Sequence, residues 1–252
     1  MIHLDAVSFI EMAAVGLIGA AINTLAGGGT LLTFPVLLAI GYPALVANVS
    51  NTLGLLPGYA GGSLSYRREL AGQGRRVIIL GVAGAVGALV GAYLLTRTSS
   101  SAFRAVVPWL ILFACVLLAV QPLVSRRLAA ARQGPATIGP LLIAGDAAGG
   151  VYGAFFGAGL GVMLLAVLGL FLTDSLQRLN ALKGVISMVV NGVAAICFAI
   201  AAPVAWPAVA AMAPAAFLGG FAGAALARRV PPTPLRIIVV VLGIVVAVRL
   251  LV

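Results

Sequence analysis

The chain has 252 residues, 63% of them hydrophobic and 8% charged, with a mean hydropathy of +1.21. A soluble domain carries roughly 45–50% apolar and about 25% charged residues, so a water-facing globule is excluded, as is a disordered chain. The net charge is +10 at pH 7, but the arginines sit in short loops between apolar runs without interleaved aromatics, which speaks for topogenic charge and anionic lipid rather than nucleic acid.

The 32 glycines show no Gly-X-Y period, and the apolar runs are long and continuous rather than alternating. The expected class is an all-α integral membrane protein. Ten apolar segments follow in chain order, near residues 6–25, 30–40, 43–66, 76–96, 102–121, 138–156, 160–172, 175–201, 205–227 and 234–251. The first has no positively charged region before it, only Asp5 and Glu11 beside His3, so it is expected to stay as a membrane helix. Spanning the hydrocarbon core takes about 20 helical residues. Residues 30–40 and 160–172 fall short of that, and each follows a glycine cluster, Gly27-Gly28-Gly29 or Gly157-Ala158-Gly159.

The halves correspond. Leu25–Gly29 lies 130 residues before Phe155–Gly159, and Ala47-Asn48 lies 132 before Leu179-Asn180. Gly87 and Gly91 lie 132 before Gly219 and Gly223, as Phe103-Arg104 does before Leu235-Arg236. The sequence therefore reads as a tandem duplication. Residues 1–124 form the first repeat, 125–137 a basic cytoplasmic linker, and 138–252 the second repeat. If all ten segments cross and both termini lie outside, eleven arginines face inside and three outside. If the two short segments are re-entrant, the division is eight to six. The positive-inside rule favours ten crossings. Five per half is odd, so the repeats are expected to be inverted, a plan of secondary transporters with substrate near the midplane.

Consecutive glycines break a helix and free backbone groups that lipid cannot satisfy, so Gly27, Gly28 and Gly29, and Gly157 and Gly159, are expected to line protein or a wet cavity. The helix that restarts at Thr30 offers unpaired N–H groups there, a geometry that suits an anion. Polar residues gather near both breaks: Asn23, Thr24, Thr30, Thr33, Asn48, Ser50, Asn51 and Thr52 in the first half, Asn180, Lys183, Ser187 and Asn191 in the second. Asn48 shares a helix face with Asn51 and Thr52, and Asn180 with Lys183 and Ser187. Interhelical hydrogen bonding is the plainer role for any one of them. As a cluster repeated beside two breaks, they are read as a substrate site. Lys183 is an intramembrane cation and hence a candidate counter-charge. Asp146, the only acid well inside a segment, is the candidate for a coupling proton. The remaining glycines, Gly81, Gly84, Gly87, Gly91, Gly219 and Gly223, fit helix packing, and Gly-rich faces serve a homodimer contact as readily as an internal one.

His3 is the sole histidine, and Cys115 and Cys197 lie inside apolar runs. No CxxC, HExxH or GxSxG occurs, nor any nucleotide-binding motif or paired carboxylates. No metal, cofactor or enzymatic chemistry is expected.

The run Asn23-Thr24-Leu25-Ala26-Gly27-Gly28-Gly29-Thr30-Leu31-Leu32-Thr33-Phe34-Pro35, with Gly41-Tyr42-Pro43 and Ala47–Thr52, resembles the first signature of the TauE/SafE sulfite exporter family. The second half, Tyr152–Gly161 and Leu179–Lys183, is similar to a branch of that family, although its run reads Gly-Ala-Gly-Leu-Gly and lacks the proline. The resemblance implies a bacterial inner-membrane transporter of small sulfur-containing anions such as sulfite or sulfonates. A transporter of another small anion and a non-transport membrane assembly protein are the alternatives.

Overall fold

The computed structural model of the chain describes residues 6–130, 138–227 and 233–251. Among these it contains ten helices and no strand: α1 (Ala6–Leu25), α2 (Thr30–Ala39), α3 (Ala44–Ser65), α4 (Gly74–Arg97), α5 (Ser100–Ala130), α6 (Pro140–Phe155), α7 (Leu160–Phe171), α8 (Leu176–Ala201), α9 (Trp206–Leu226) and α10 (Thr233–Leu251). Six of them, α1, α4, α5, α8, α9 and α10, are long and apolar enough to cross a membrane. This is an all-α integral membrane protein. α2 and α7, at 10 and 12 residues, are the short elements. α6, at 16 residues, spans only about 24 Å. α3 has 22 residues, but its polar face of Asn48, Ser50, Asn51 and Thr52 lowers its hydropathy.

One boundary differs from the sequence expectation. α5 does not stop near residue 121 but runs through Pro122 to Ala130, so the first residues of the basic linker are helical. Proline withdraws one hydrogen bond from a helix without necessarily ending it. The rest of the linker, residues 131–137, lies outside the described residues, as do 1–5 and 228–232.

The strongest packing joins the halves rather than separating them. α1 lies on α9 and α4 on α6; α3 lies on α9 and α4 on α8; α2 meets α10 and α5 meets α7. Shifting every helix by five positions turns each of these pairs into the other. α3 and α8 pack against each other, and so do α5 and α10. Large side chains that remain exposed, such as Ile78, Val82 and Val86 on α4 and Ile237, Ile238 and Val241 on α10, are apolar. That is the outward surface expected of a chain whose solvent on these faces is lipid.

Without a hydrophobic drive between helices in lipid, close backbone approach carries the packing. Gly87 and Gly91 on α4 present bare backbone to the carbonyls of Ala147 and Val151 on α6. Gly219 and Gly223 on α9 do the same to Leu17 and Ala21 on α1. Gly150 and Gly220 repeat the arrangement against Gly84 and Gly58.

The two helix breaks meet at the centre. Gly27 adopts φ +83° after α1, and Gly157 and Gly159 both adopt φ +78° before α7. These are left-handed conformations that a side chain resists. A Cβ on Gly27 would lie 3.0 Å from the Val162 nitrogen, and one on Gly161 would lie 3.1 Å from the Gly27 Cα. Backbone is pressed on backbone here, so neither position has room for a side chain.

Four stability outcomes are expected in thermal-shift measurements on purified protein. Gly87→Ala drives a methyl group into the Ala147 carbonyl and loses about 1–3 kcal/mol from overpacking. Gly81→Ala on the same helix meets only Val189, at 3.9 Å; it is neutral or gains up to about 1 kcal/mol of helix propensity. Gly27→Ala loses roughly 1–2 kcal/mol from its left-handed backbone alone. Gly139→Ala has open space around it and is tolerated.

Candidate functional site

α3 and α8 run antiparallel, with Ser63 against Gly184 and Leu56 against Gly192. Toward the C-terminal end of α3 a crevice opens between them, closed on its other sides by α1 and by the first turn of α7. α3 contributes Tyr59, Gly62 and Ser63, and its C-cap Tyr66 closes that wall. α8 contributes Asn180, Lys183, Gly184 and Ser187, α1 contributes Asn23 and Thr24, and α7 contributes Gly161. Both halves of the chain therefore build it. The crevice is narrow and leaves no room for a bulky organic molecule.

Lys183 is its only charged residue. The side chain is eight residues into α8 and only 5% exposed, with its stem along the bare backbone of Gly161, 3.5 Å from where a Cβ would stand. Among the described residues it has neither an ion-pair nor a hydrogen-bond partner. A buried cation without a counter-charge is costly unless something else neutralises it. Two hydroxyls in the same crevice, Ser63 Oγ and Ser187 Oγ, are buried and also without a partner. Asn180 is half-buried beside them. In the first turn of α7, which supplies Gly161, the Leu160, Val162 and Met163 amides are bonded to the Gly157 and Gly159 carbonyls, so the free donors of the crevice are side chains. The site is thus rich in donors and holds no carboxylate.

At the inner end the donors are held by a network. Asn23 Nδ2 donates to the Tyr59 hydroxyl at 2.7 Å, and the Asn191 side chain reaches the same hydroxyl. Asn191 also donates to the Ser187 carbonyl at 2.8 Å, which fixes its rotamer against α8.

The other residues expected at a site lie deeper and are occupied by the protein itself. Asn51 Nδ2 donates to Thr30 Oγ1 at 3.4 Å, and its Oδ1 accepts a short bond from Thr33 Oγ1. Asn48 Nδ2 donates to the Phe155 carbonyl at 3.1 Å, tying α3 to the end of α6. Thr52 turns back on the Asn48 carbonyl at 3.1 Å. Gly28 faces Leu118 and Val239, and Gly29 faces Gly19 and Asn23. The amino terminus of α2 is therefore packed inside protein, away from the crevice. Gly157 and Gly159 shape the turn into α7, and Gly159 faces Ala114. Asp146 is fully buried on α6, facing Gly84, Ile186 and Val190. One of its oxygens lies against the Gly84 backbone, but neither meets a donor in hydrogen-bonding geometry, and it makes no ion pair with Lys183.

Tyr59, Ser63 and Tyr66, together with Gly62, were not singled out in the sequence. Their spacing of i, i+3, i+4 and i+7 is the face of a helix, and that periodicity was the available signal. Among the described residues no group of three His, Cys, Asp or Glu side chains could hold a metal.

Residues 12–250 match the family described as sulfite exporter TauE/SafE. A probable membrane transporter protein of Haemophilus influenzae is 26% identical over 234 residues, covering 91% of this chain and 89% of that protein. The probable membrane transporter protein ORF9 of a Sinorhizobium species is 29% identical over 120 residues, covering 48% of this chain and 44% of that protein. No solved structure matches. A match running nearly from end to end, on a helical membrane architecture with polar breaks at its centre, establishes that the chain belongs to the sulfite exporter TauE/SafE family of membrane transporters.

Proposed function

We propose that the protein is a secondary transporter of a small sulfur-containing oxyanion, sulfite or a compact sulfonate, and that the α3–α8 crevice is its binding site. The observation that carries this reading is the unpaired, buried Lys183 beside two unpartnered serine hydroxyls. Sulfite and sulfonate oxygens accept hydrogen bonds, and every group unsatisfied in the crevice can donate. An anion there would cancel the lysine charge and fill the open hydroxyl valences in one step. The small free space favours a guest of few heavy atoms. A metal cation would find no carboxylate in the crevice, and nothing in it favours catalysis over binding.

The mechanism that suits this architecture is alternating access. The swap of α1·α9 for α4·α6, and of α3·α9 for α4·α8, is what an internal two-fold relating inverted repeats produces. A site built from both halves changes its exposure when the halves tilt against each other. In this reading the chain sits in a bacterial inner membrane with both termini outside and its arginine-rich loops in the cytoplasm. Coupling falls to Asp146. Its carboxyl is enclosed between α4, α6 and α8 with one oxygen against the Gly84 backbone, so exchange of its proton with water is expected to require helix movement. Anion and proton would then travel in linked steps.

Two measurements test these roles. Lys183→Ala removes the counter-charge, and truncating one partner of a buried charge pair costs at least about 2 kcal/mol. Sulfite binding to the purified protein is expected to weaken about 30-fold or more, with thermal stability retained; unchanged affinity rejects the site. In proteoliposomes, Asp146→Asn is expected to keep anion binding and to lose the response of flux to an imposed pH gradient. A gradient response equal to the parent's removes Asp146 from coupling.

A further inference from the structure

Beyond the crevice, at the end where Tyr66 caps α3 and Asn180 opens α8, the two halves are tied by charge. Asp174, in the connection between α7 and α8, receives Arg76 Nη1 at 2.7 Å and Arg178 Nε at 2.9 Å. Arg76 belongs to the first turn of α4, so one of the two bonds crosses between repeats. Arg178 Nη1 donates to the Ala71 carbonyl at 3.1 Å, back across to the connection between α3 and α4. Gln73, 1% exposed, completes the tie: its Nε2 donates to the Arg178 carbonyl at 3.1 Å and to the Glu69 carbonyl at 2.9 Å, and its Oε1 accepts from Arg76. Four side chains thus clamp the α3–α4 connection onto the start of the helix that carries Lys183.

The opposite end of the same helix pair is built differently. There Ser50 Oγ accepts from the Ala205 amide at 2.8 Å, and the connections on either side, residues 40–43 and 202–205, contain no charged residue. The two ends of the crevice's walls are held by unlike chemistry, ionic at one and neutral at the other. Partial burial would raise the Asp174 carboxyl, but the hydrogen bonds from Arg76 and Arg178 outweigh it and hold the group below the usual carboxylate range. The clamp is therefore charged at neutral and mildly acidic pH.

We propose that the Arg76–Asp174–Arg178 cluster, with Gln73, is a latch that closes one mouth of the crevice and must part for the bound ion to pass on that side. It rests on the alternating-access reading, but not on the identity of the ion. Parting costs two charge-assisted bonds at a partly solvated site. That is enough to bias an equilibrium and not enough to freeze it. Gln73 and Arg178 act as positioning residues: Gln73 holds the Arg178 carbonyl, just over one turn before Lys183 on α8, and neither residue lines the crevice.

The test reads access to the crevice without any anion present. In a Cys115→Ala, Cys197→Ala background, Asn180→Cys places a thiol on the crevice wall. Its labelling by a membrane-impermeant maleimide is followed separately in right-side-out and inside-out vesicles. Breaking the latch with Asp174→Asn is expected to speed labelling roughly fivefold or more, from the face bearing the arginine-rich loops. Asp174→Glu is expected to restore slow labelling. Arg76→Gln, which removes one arm only, gives an intermediate rate and serves if Asp174→Asn does not fold. Equal rates in the parent and Arg76→Gln or Asp174→Asn, or acceleration from the other face alone, overturn the latch. Because no anion enters the assay, a wrong substrate assignment leaves its outcome unaffected.

Discussion

Backbone amides and carbonyls that lie at membrane depth outside a helix have to be satisfied by protein or trapped water, because lipid offers them nothing. This chain breaks its helices twice, at Gly27–Gly29 and at Gly157–Gly159, and the rest of the fold is organised to shelter those breaks. They are pressed together so closely that Gly27 and Gly161 share van der Waals contact through bare backbone. Asn48 reaches across from one half and donates to the Phe155 carbonyl at the end of α6 in the other. Asn51 and the two threonines of α2 satisfy one another behind the first break. The glycine seams of α4 with α6 and α9 with α1 then draw the long helices close enough to enclose the centre.

From that enclosure follows the placement of charge. Once the breaks are sealed by protein, a polar crevice is left between α3 and α8, and one of its lining residues is a cation. The first break is consumed by packing, whereas the second contributes the first turn of α7 to the crevice wall through Gly161. The halves, though paired alike in their helix contacts, are thus unequal in chemistry. Lys183 has no charged counterpart in the first half, where Asn51 stands 132 residues before it on α3. The same inequality recurs at the ends of the helix pair, ionic on one side and neutral on the other.

Most of the fold was legible in the sequence because membrane helices announce themselves: a long apolar run bounded by Gly, Pro or Arg leaves few alternatives. α1, α3 and α8 begin and end within a residue of where those marks stand. The continuation of α5 past Pro122 was not legible, since proline only lowers the odds of a helix and tertiary or solvent contacts decide the outcome. At the site, Asn23, Asn180 and Lys183 were found as polar groups in apolar surroundings, and they line one crevice. Asn48, Asn51 and Thr52 carried the same signal, yet they bond to protein. A sequence shows that a polar side chain shares a face, not whether its partner is another helix or a guest. Tyr59 and Ser63 were passed over because a tyrosine and a serine among glycines look unremarkable until Asn23 and Lys183 are seen beside them. Asp174 drew no notice for a related reason: charges in short loops read as topology, and only the fold reveals that Arg76, 98 residues away, shares its carboxylate.

The central claim is that an oxyanion sits between α3 and α8 against Lys183. Selenite, a heavier analogue of sulfite, allows that ion to be located directly by anomalous scattering from crystals of the protein. The account predicts a selenium peak within hydrogen-bonding distance of Lys183 Nζ and of the Ser63 and Ser187 hydroxyls, absent from Lys183→Ala crystals grown alike. A peak elsewhere in the membrane-embedded region, with the crevice empty at saturating selenite, would contradict it.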